Sequence, residues 1–409
     1  MIKRYAVVFS LFLMSAILYA ENLRPAHRYF EIGFAVNAGL SNNTLTAKDL
    51  LKKELIIDLN KLSDNMPKKG LRFDADADLS MFMNLNLKNG VHAGLNMGTD
   101  FYGNITVSKG IFDFLGNGND LGEKIKSDGS FSGDVFTYVT TSAGFKLNRI
   151  LFKVSPSVFA PLLHIESSDT RASFVNAPDG SIKAVLSSDL KIYSYTDISS
   201  FFDKNSSASF DPADMSGTKF GFDMEVSAEL PVFRTLQCGG YMRIPVVPGR
   251  LNNMTTAVFS MEYEAENIIP LLQNDSSKKS GYNISDTAFS KDEIWISRPF
   301  RTGAELMWRP FGNWMSFGAL LGFGVRYPFS TSAKAYIDYD FSIDMSLFKI
   351  LGVSFATVRY DEIFAQRFGF MLNARVIEID LGVEFRGADF VNSIKGSGAG
   401  AFVKFSTGF

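Results

Sequence analysis

The chain of 409 residues holds a single cysteine, Cys238, and only three histidines, His27, His92 and His164, scattered far apart. One thiol excludes a disulfide framework and a thiolate cluster, and three distant imidazoles give a transition metal little to build on. A net charge of −2 removes the basic footprint of a nucleic-acid binder. Long apolar runs are missing too: past the first twenty residues, none reaches the ~18 that a helical span needs. Catalytic signatures are equally scarce. No G-x-S-x-G elbow occurs, and Gly116-Asn117-Gly118 lacks the strand-to-helix setting of a nucleotide loop. Asp74-Ala75-Asp76-Ala77-Asp78 starts like a calcium loop, but Leu79 stands where glycine is required and Leu85 where glutamate is. No metal, no cofactor and no enzymatic activity are expected.

What is present is greasy and thinly spread. Hydrophobic residues make up 46% of the chain and aromatics 14%, with 39 phenylalanines, often at every second position. The first residues read as an export signal. Lys3 and Arg4 precede an apolar core from Ala6 to Leu18, and Tyr19-Ala20 leads into Glu21-Asn22, so cleavage after Ala20 is expected. The domain reading is therefore a signal peptide at 1–20 and one mature unit at 21–409.

Side chains on a strand alternate between faces with a period of two. From Leu71 to Leu87 the odd positions are all apolar, while the even ones include Arg72, Asp74, Asp76, Asp78, Asn84 and Asn86. A slip of one residue would place three aspartates in the greasy layer, so the register is fixed. The same alternation returns at Phe220–Leu230, Ala335–Met345 and Ile377–Phe385. These runs match the ~9–11 residues that cross a bilayer at a tilt, and they are too long for the strands of a soluble sandwich. Tight turns such as Leu147–Arg149 contrast with long polar stretches such as Glu266–Arg298. The fold expected is an all-β transmembrane antiparallel barrel of about 14 (14–16) strands in the outer membrane of a diderm bacterium, with membrane lipid around it. Ala401, Val403, Phe405 and Phe409 share one face at the close of the chain, the kind of strand that barrel-assembly machinery reads, so that machinery is an expected partner through Phe409.

One segment breaks the period. Between Thr44 and Leu62, Leu50, Leu51, Leu55 and Leu59 recur at helical spacing, and Thr46 with Asp49 forms a capping box. Residues 41–69 are accordingly expected to form a plug or hatch, although a helix packing at the barrel mouth is the equal alternative. Several aromatics stand on the polar face by strand parity: Phe82, Tyr102, Phe136, Tyr138, Phe159 and Tyr241. With Arg243 and Arg375 they are the candidate lining of a ligand path, since rings suit an apolar body and guanidinium suits an acidic head. The competing reading has the same rings packing a plug.

Three stretches carry a family likeness: Arg298-Pro299-Phe300-Arg301 through Arg309-Pro310-Phe311, Met371-Leu372-Asn373-Ala374-Arg375, and Gly396-Ser397-Gly398-Ala399-Gly400 to Phe409. In these the chain resembles the FadL-type long-chain fatty-acid transporters, in a divergent branch. The resemblance implies a fourteen-stranded barrel with an N-terminal hatch, passing hydrophobic molecules by passive diffusion. The Asn-Pro-Ala element of that hatch is absent, so no ligand residue is carried over by motif. A porin for small polar solutes and a surface adhesin remain the alternatives, the first resting on the acidic inner wall and the second on Glu266–Arg298.

Overall fold

The computed structural model describes residues 28–46, 59–87, 90–117, 124–176, 182–196, 219–265, 280–283, 287–290, 292–348 and 350–409. The segment 1–20 expected to be a signal peptide, and Leu50, Leu51 and Leu55, lie outside the described residues. Twenty strands occur among the described residues: β1 (Phe30–Asn42), β2 (Leu71–Asn86), β3 (His92–Val107), β4 (Lys124–Leu147), β5 (Ile150–Asn176), β6 (Ile182–Ser194), β7 (Gly221–Pro231), β8 (Leu236–Val247), β9 (Gly249–Leu251), β10 (Asn253–Ala265), β11 (Ser280–Asn283), β12 (Thr287–Ser290), β13 (Ile294–Ile296), β14 (Phe300–Trp308), β15 (Met315–Arg326), β16 (Lys334–Leu347), β17 (Leu351–Tyr360), β18 (Ile363–Asn373), β19 (Ile377–Gly387) and β20 (Gly398–Gly408). Three short helices accompany them: α1 (Leu59–Asn65), α2 (Lys109–Asn117) and α3 (Phe390–Ile394).

Hydrogen bonding runs antiparallel from β1 through β2, β3, β4 and β5, passes to β7, β8 and β14, and continues in chain order to β20. It then returns from β20 to β1, with Phe34 opposite Phe405. The barrel is closed. Closure removes the edges that lipid could not satisfy. Sixteen strands of nine residues or more contribute to the sheet: fourteen carry the closed circuit, and β6 and β10 branch from it. Both counts fall in the expected range. The branch arises on β5, whose Leu151–Phe159 pairs with β7 while Leu163–Asn176 pairs with β6. Pro161 stands at the fork, where a residue with no N–H costs no ladder bond.

The alternation read from the sequence is the architecture of the wall. On β2, Asp74, Asp76, Asp78 and Ser80 are buried on the inner face, while Phe73, Met81, Met83 and Leu85 are exposed outside. The same exposed apolar face recurs around the circuit, for example at Met242, Leu321, Phe341, Phe355, Leu381 and Val403. Such a band fits hydrocarbon and would be costly in water. Its lower border is aromatic: Trp308 packs 5.5 Å from Phe317, and Phe311 packs 5.5 Å from Trp314. Tight turns such as Asn148-Arg149, where Asn148 takes φ 57°, join strands at this end. At the opposite end lie the ends of β1 and β2, β3 and β4, and β19 and β20 that long connections join, an asymmetry typical of outer-membrane barrels.

Of the segment 41–69 expected as a plug, residues 47–58 lie outside the described residues. Residues 43–70 connect β1 to β2 at the long-connection end, and α1 packs there against α2. Ser63 of α1, fully buried, hydrogen-bonds Asp113 of α2. α1 overlaps the expected helix only from Leu59 to Leu62, and it packs on a second helix supplied by the β3–β4 connection.

Candidate functional site

The inner wall is built from carboxylates that meet arginines across neighbouring strands. Arg386 of β19 reaches Asp76 and also holds Glu384 at 2.6 Å and Asn37 at 3.1 Å. Arg367 of β18 meets the same Glu384 at 2.7 Å. Strand parity puts all of these on one face, so charges from different strands fall opposite one another. Each pairing matters because a lone charge taken out of water costs several kcal/mol.

A strap crosses this interior. β9 and β13 pair as a two-stranded ribbon, with Ile294 opposite Leu251 and Ile296 opposite Gly249. Leu251 and Ile296 pack against inner-wall rings, chiefly Phe136, Tyr138 and Phe159, and against Tyr193 and Tyr195 of the β6 end. The approach is close: a Cβ on Gly249 would stand 2.5 Å from the Pro161 ring, and one on Gly221 would collide with the Phe159 ring. Just beyond the ribbon, Arg298 enters the lumen. Its guanidinium lies 3.1 Å from Asp100 of β3, 3.2 Å from Asp223 of β7 and 3.3 Å from the Ser157 hydroxyl of β5. It also stands 4.4 Å from the centre of the Tyr138 ring of β4. One cation thus ties the strap to four strands of the wall.

Above and beside Arg298 is a chamber that opens to solvent. Its walls mix three chemistries: carboxylates of Asp76, Asp78 and Asp134, guanidiniums of Arg243, Arg301 and Arg326, and the rings of Tyr102, Phe136, Tyr327 and Tyr360. Cations stack on rings here. Arg326 is 3.3 Å from the Tyr102 ring centre and Arg301 is 4.3 Å from that of Tyr360. Asp134 receives a hydrogen bond from Tyr327 and lies 2.6 Å from His164 Nδ1. Burial pushes the Tyr327 phenol up, as does the Asp134 carboxylate beside it, so it stays a neutral donor. A second, smaller cavity adjoins Tyr241, Asp338, Tyr360 and Arg367.

The residues singled out in the sequence divide into groups. Tyr102, Phe136 and Arg243 line the chamber, and Arg243 forms an ion pair with Glu225 at 3.0 Å. Tyr138 and Phe159 face inward as expected, but the strap covers them. Tyr241 lines the second cavity, and Phe82 lies under the Lys404 ammonium at 5.1 Å. Arg375 does not reach the lumen. β18 ends at Asn373, and Arg375 sits exposed in the following turn at φ 67°, which breaks the parity that pointed it inward. Arg298, Arg301, Arg326 and Tyr327 were not recognised as lumen groups. The signal for Arg298 was local: Ile294-Trp295-Ile296 alternates like a strand within a stretch otherwise read as loop.

No family model matches the chain, and no curated protein matches it. Solved structures of similar shape exist at very low identity. The toluene transporter TodX of Pseudomonas putida matches with a TM-score of 0.45 and 8% identity, covering 93% of this chain and 89% of that one. The toluene transporter TbuX of Ralstonia pickettii matches at 0.44 and 8%, with 93% and 89% covered. A FadL homologue of Pseudomonas aeruginosa matches at 0.44 and 8%, with 92% and 89% covered.

Proposed function

We propose that this chain is an outer-membrane transporter for hydrophobic and amphipathic small molecules, with long-chain fatty acids as the substrate class, acting by passive diffusion. The observation that carries the reading is the chamber, where ring faces and guanidiniums line one space behind a strap. An acidic head would compete for Arg243, Arg301 or Arg326, while its apolar part lies along Tyr102, Phe136 and Tyr360. A purely aqueous cation pore fits less well. Asp76, Asp100 and Asp223 are already ion-paired with arginine, so the wall offers little free negative field. The rings and ion pairs hold and orient a ligand, and we assign them no catalytic step.

The test pairs two measurements on the purified barrel. A fluorescent fatty acid should bind saturably and be displaced by unlabelled fatty acid, while planar bilayers show small or no steady conductance. Large stable conductance without fatty-acid binding would overturn the proposal in favour of a polar-solute porin. The assembly machinery of the outer membrane is the proposed partner for the β20 strand, with Phe409 as the recognised ring. Phe409 is exposed and packs 6.0 Å from Phe30, so Phe409→Ser should lower the yield of folded barrel in cells and leave refolding in detergent unchanged.

A further inference from the structure

We infer that the outer surface of the wall at β16–β18 binds a phosphate-bearing lipid headgroup through Arg359, beside the external helix α3. The inference rests on the membrane reading above. Arg359 shares a face of β17 with Val353 and Phe355, both exposed, whereas Tyr360 points inward to Arg301. Register places Arg359 opposite Tyr339 on one side and Phe364 on the other. The guanidinium lies 5.1 Å from the Phe364 ring centre. The two rings, from strands flanking β17, meet edge to face at 6.1 Å and so enclose the arginine stem. Within that enclosure the Arg359 Nε is buried with no hydrogen-bond partner. Asp338, the acid on the neighbouring strand, is buried on the opposite face of the wall.

Depth selects the ligand. Arg359 and Leu351 mark the two ends of β17, and a rise of about 3.3 Å per residue over a strand tilted ~40° separates them by roughly 20 Å across the bilayer. Arg359, next to the last residue of β17, therefore stands near the rim on the long-connection side, and we assign it to headgroup level. The surroundings are shaped for a lipid as well. One row nearer the hydrocarbon, Thr357 donates to Gln366 at 2.7 Å, and Gln366 donates to Ser393 of α3 at 3.0 Å. Those outward polar groups draw α3 onto the outside of the barrel, where a Cβ on Gly387 would stand 2.5 Å from the Ser393 nitrogen. α3 turns Phe390, Val391 and Ile394 outward, continuing the exposed face of Val383 and Phe385. A guanidinium fork suits phosphate oxygens bidentately, and the rings and α3 offer flanks for the acyl chains below.

Native mass spectrometry of the detergent-purified barrel, titrated with phosphatidylglycerol or phosphatidylcholine of identical chains, tests the site. The wild type should retain phosphatidylglycerol preferentially. Arg359→Gln should lower that preference about fivefold, the ratio for ~1 kcal/mol from one basic side chain at an anionic surface. Arg359→Lys should fall between, keeping the charge and losing the fork. Arg234→Gln, the same charge change in a turn at the other end, should have no effect. Equal retention of both lipids, or an unchanged preference in Arg359→Gln, overturns the site. Displacement of the lipid by inorganic phosphate overturns the lipid assignment, and an oligomer that excludes lipid from this face overturns it equally. Failure of the barrel to insert into vesicles would defeat the membrane reading itself, which is a separate result.

Discussion

Arg298 is the residue on which the lumen depends. Removing it takes from the buried Asp223 and the half-buried Asp100 the guanidinium that pairs with both, a loss of about 3–5 kcal/mol for one partner of a buried ion pair. Arg298→Ala should accordingly lower the denaturant midpoint and raise bilayer conductance as the strap loses its anchor. Arg298→Ala with unchanged conductance would show that the strap does not close the path. Individual residues were legible where strand parity ran uninterrupted. Asp74, Asp76 and Asp78 lie inward because nine alternating positions agree. Arg375 was misread because the pattern was extended two residues past the end of β18, into a turn. Equating charge with the inner face would also misplace Arg359, which strand parity turns outward. That equation fails at a rim, where an outward cation meets headgroups rather than hydrocarbon.

At the scale of elements, long strands were the easy part, since a two-residue period sustained over a bilayer has no competing explanation. The strap was hidden because three-residue strands such as β9 and β13 carry too little pattern to stand out from a loop. Its hold is apolar as well as ionic. Ile296→Ala should weaken it by about 2–5 kcal/mol and produce flickering conductance without loss of the barrel, read in single-channel records. The long-connection rim has its own fastening: Glu362, between β17 and β18, pairs with both Lys334 and Arg72. Burial works to raise its carboxyl, but the hydrogen bonds and charges of Lys334 and Arg72 prevail and hold it at about 2. A carboxyl depressed in the folded state adds stability above its unfolded value near 4.5, and that contribution disappears as pH falls toward 2. Glu362→Gln should flatten the midpoint-versus-pH curve between these limits and leave neutral pH to report only the lost pairing. A curve of unchanged slope would mean that other carboxylates govern the acid limb.

For the molecule as a whole, the outer band makes a claim about solvent. Leu381 lies near the middle of β19 and is exposed, so Leu381→Arg should cost about 2–4 kcal/mol when refolding into bilayers, whereas a lumen-side change of equal size should cost less. Equal costs on the two faces would contradict a lipid-facing exterior. The circuit also has a seam, and it falls between the first described strand and the last. β1 has β20 as one neighbour, with Glu31 opposite Gly408, so the most distant parts of the sequence become adjacent staves. Until β20 arrives, β1 and β19 each expose a row of unmet amides and carbonyls that hydrocarbon cannot solvate. Insertion therefore cannot be completed stave by stave during synthesis. The wall must wait, sheltered from lipid, for its final strand.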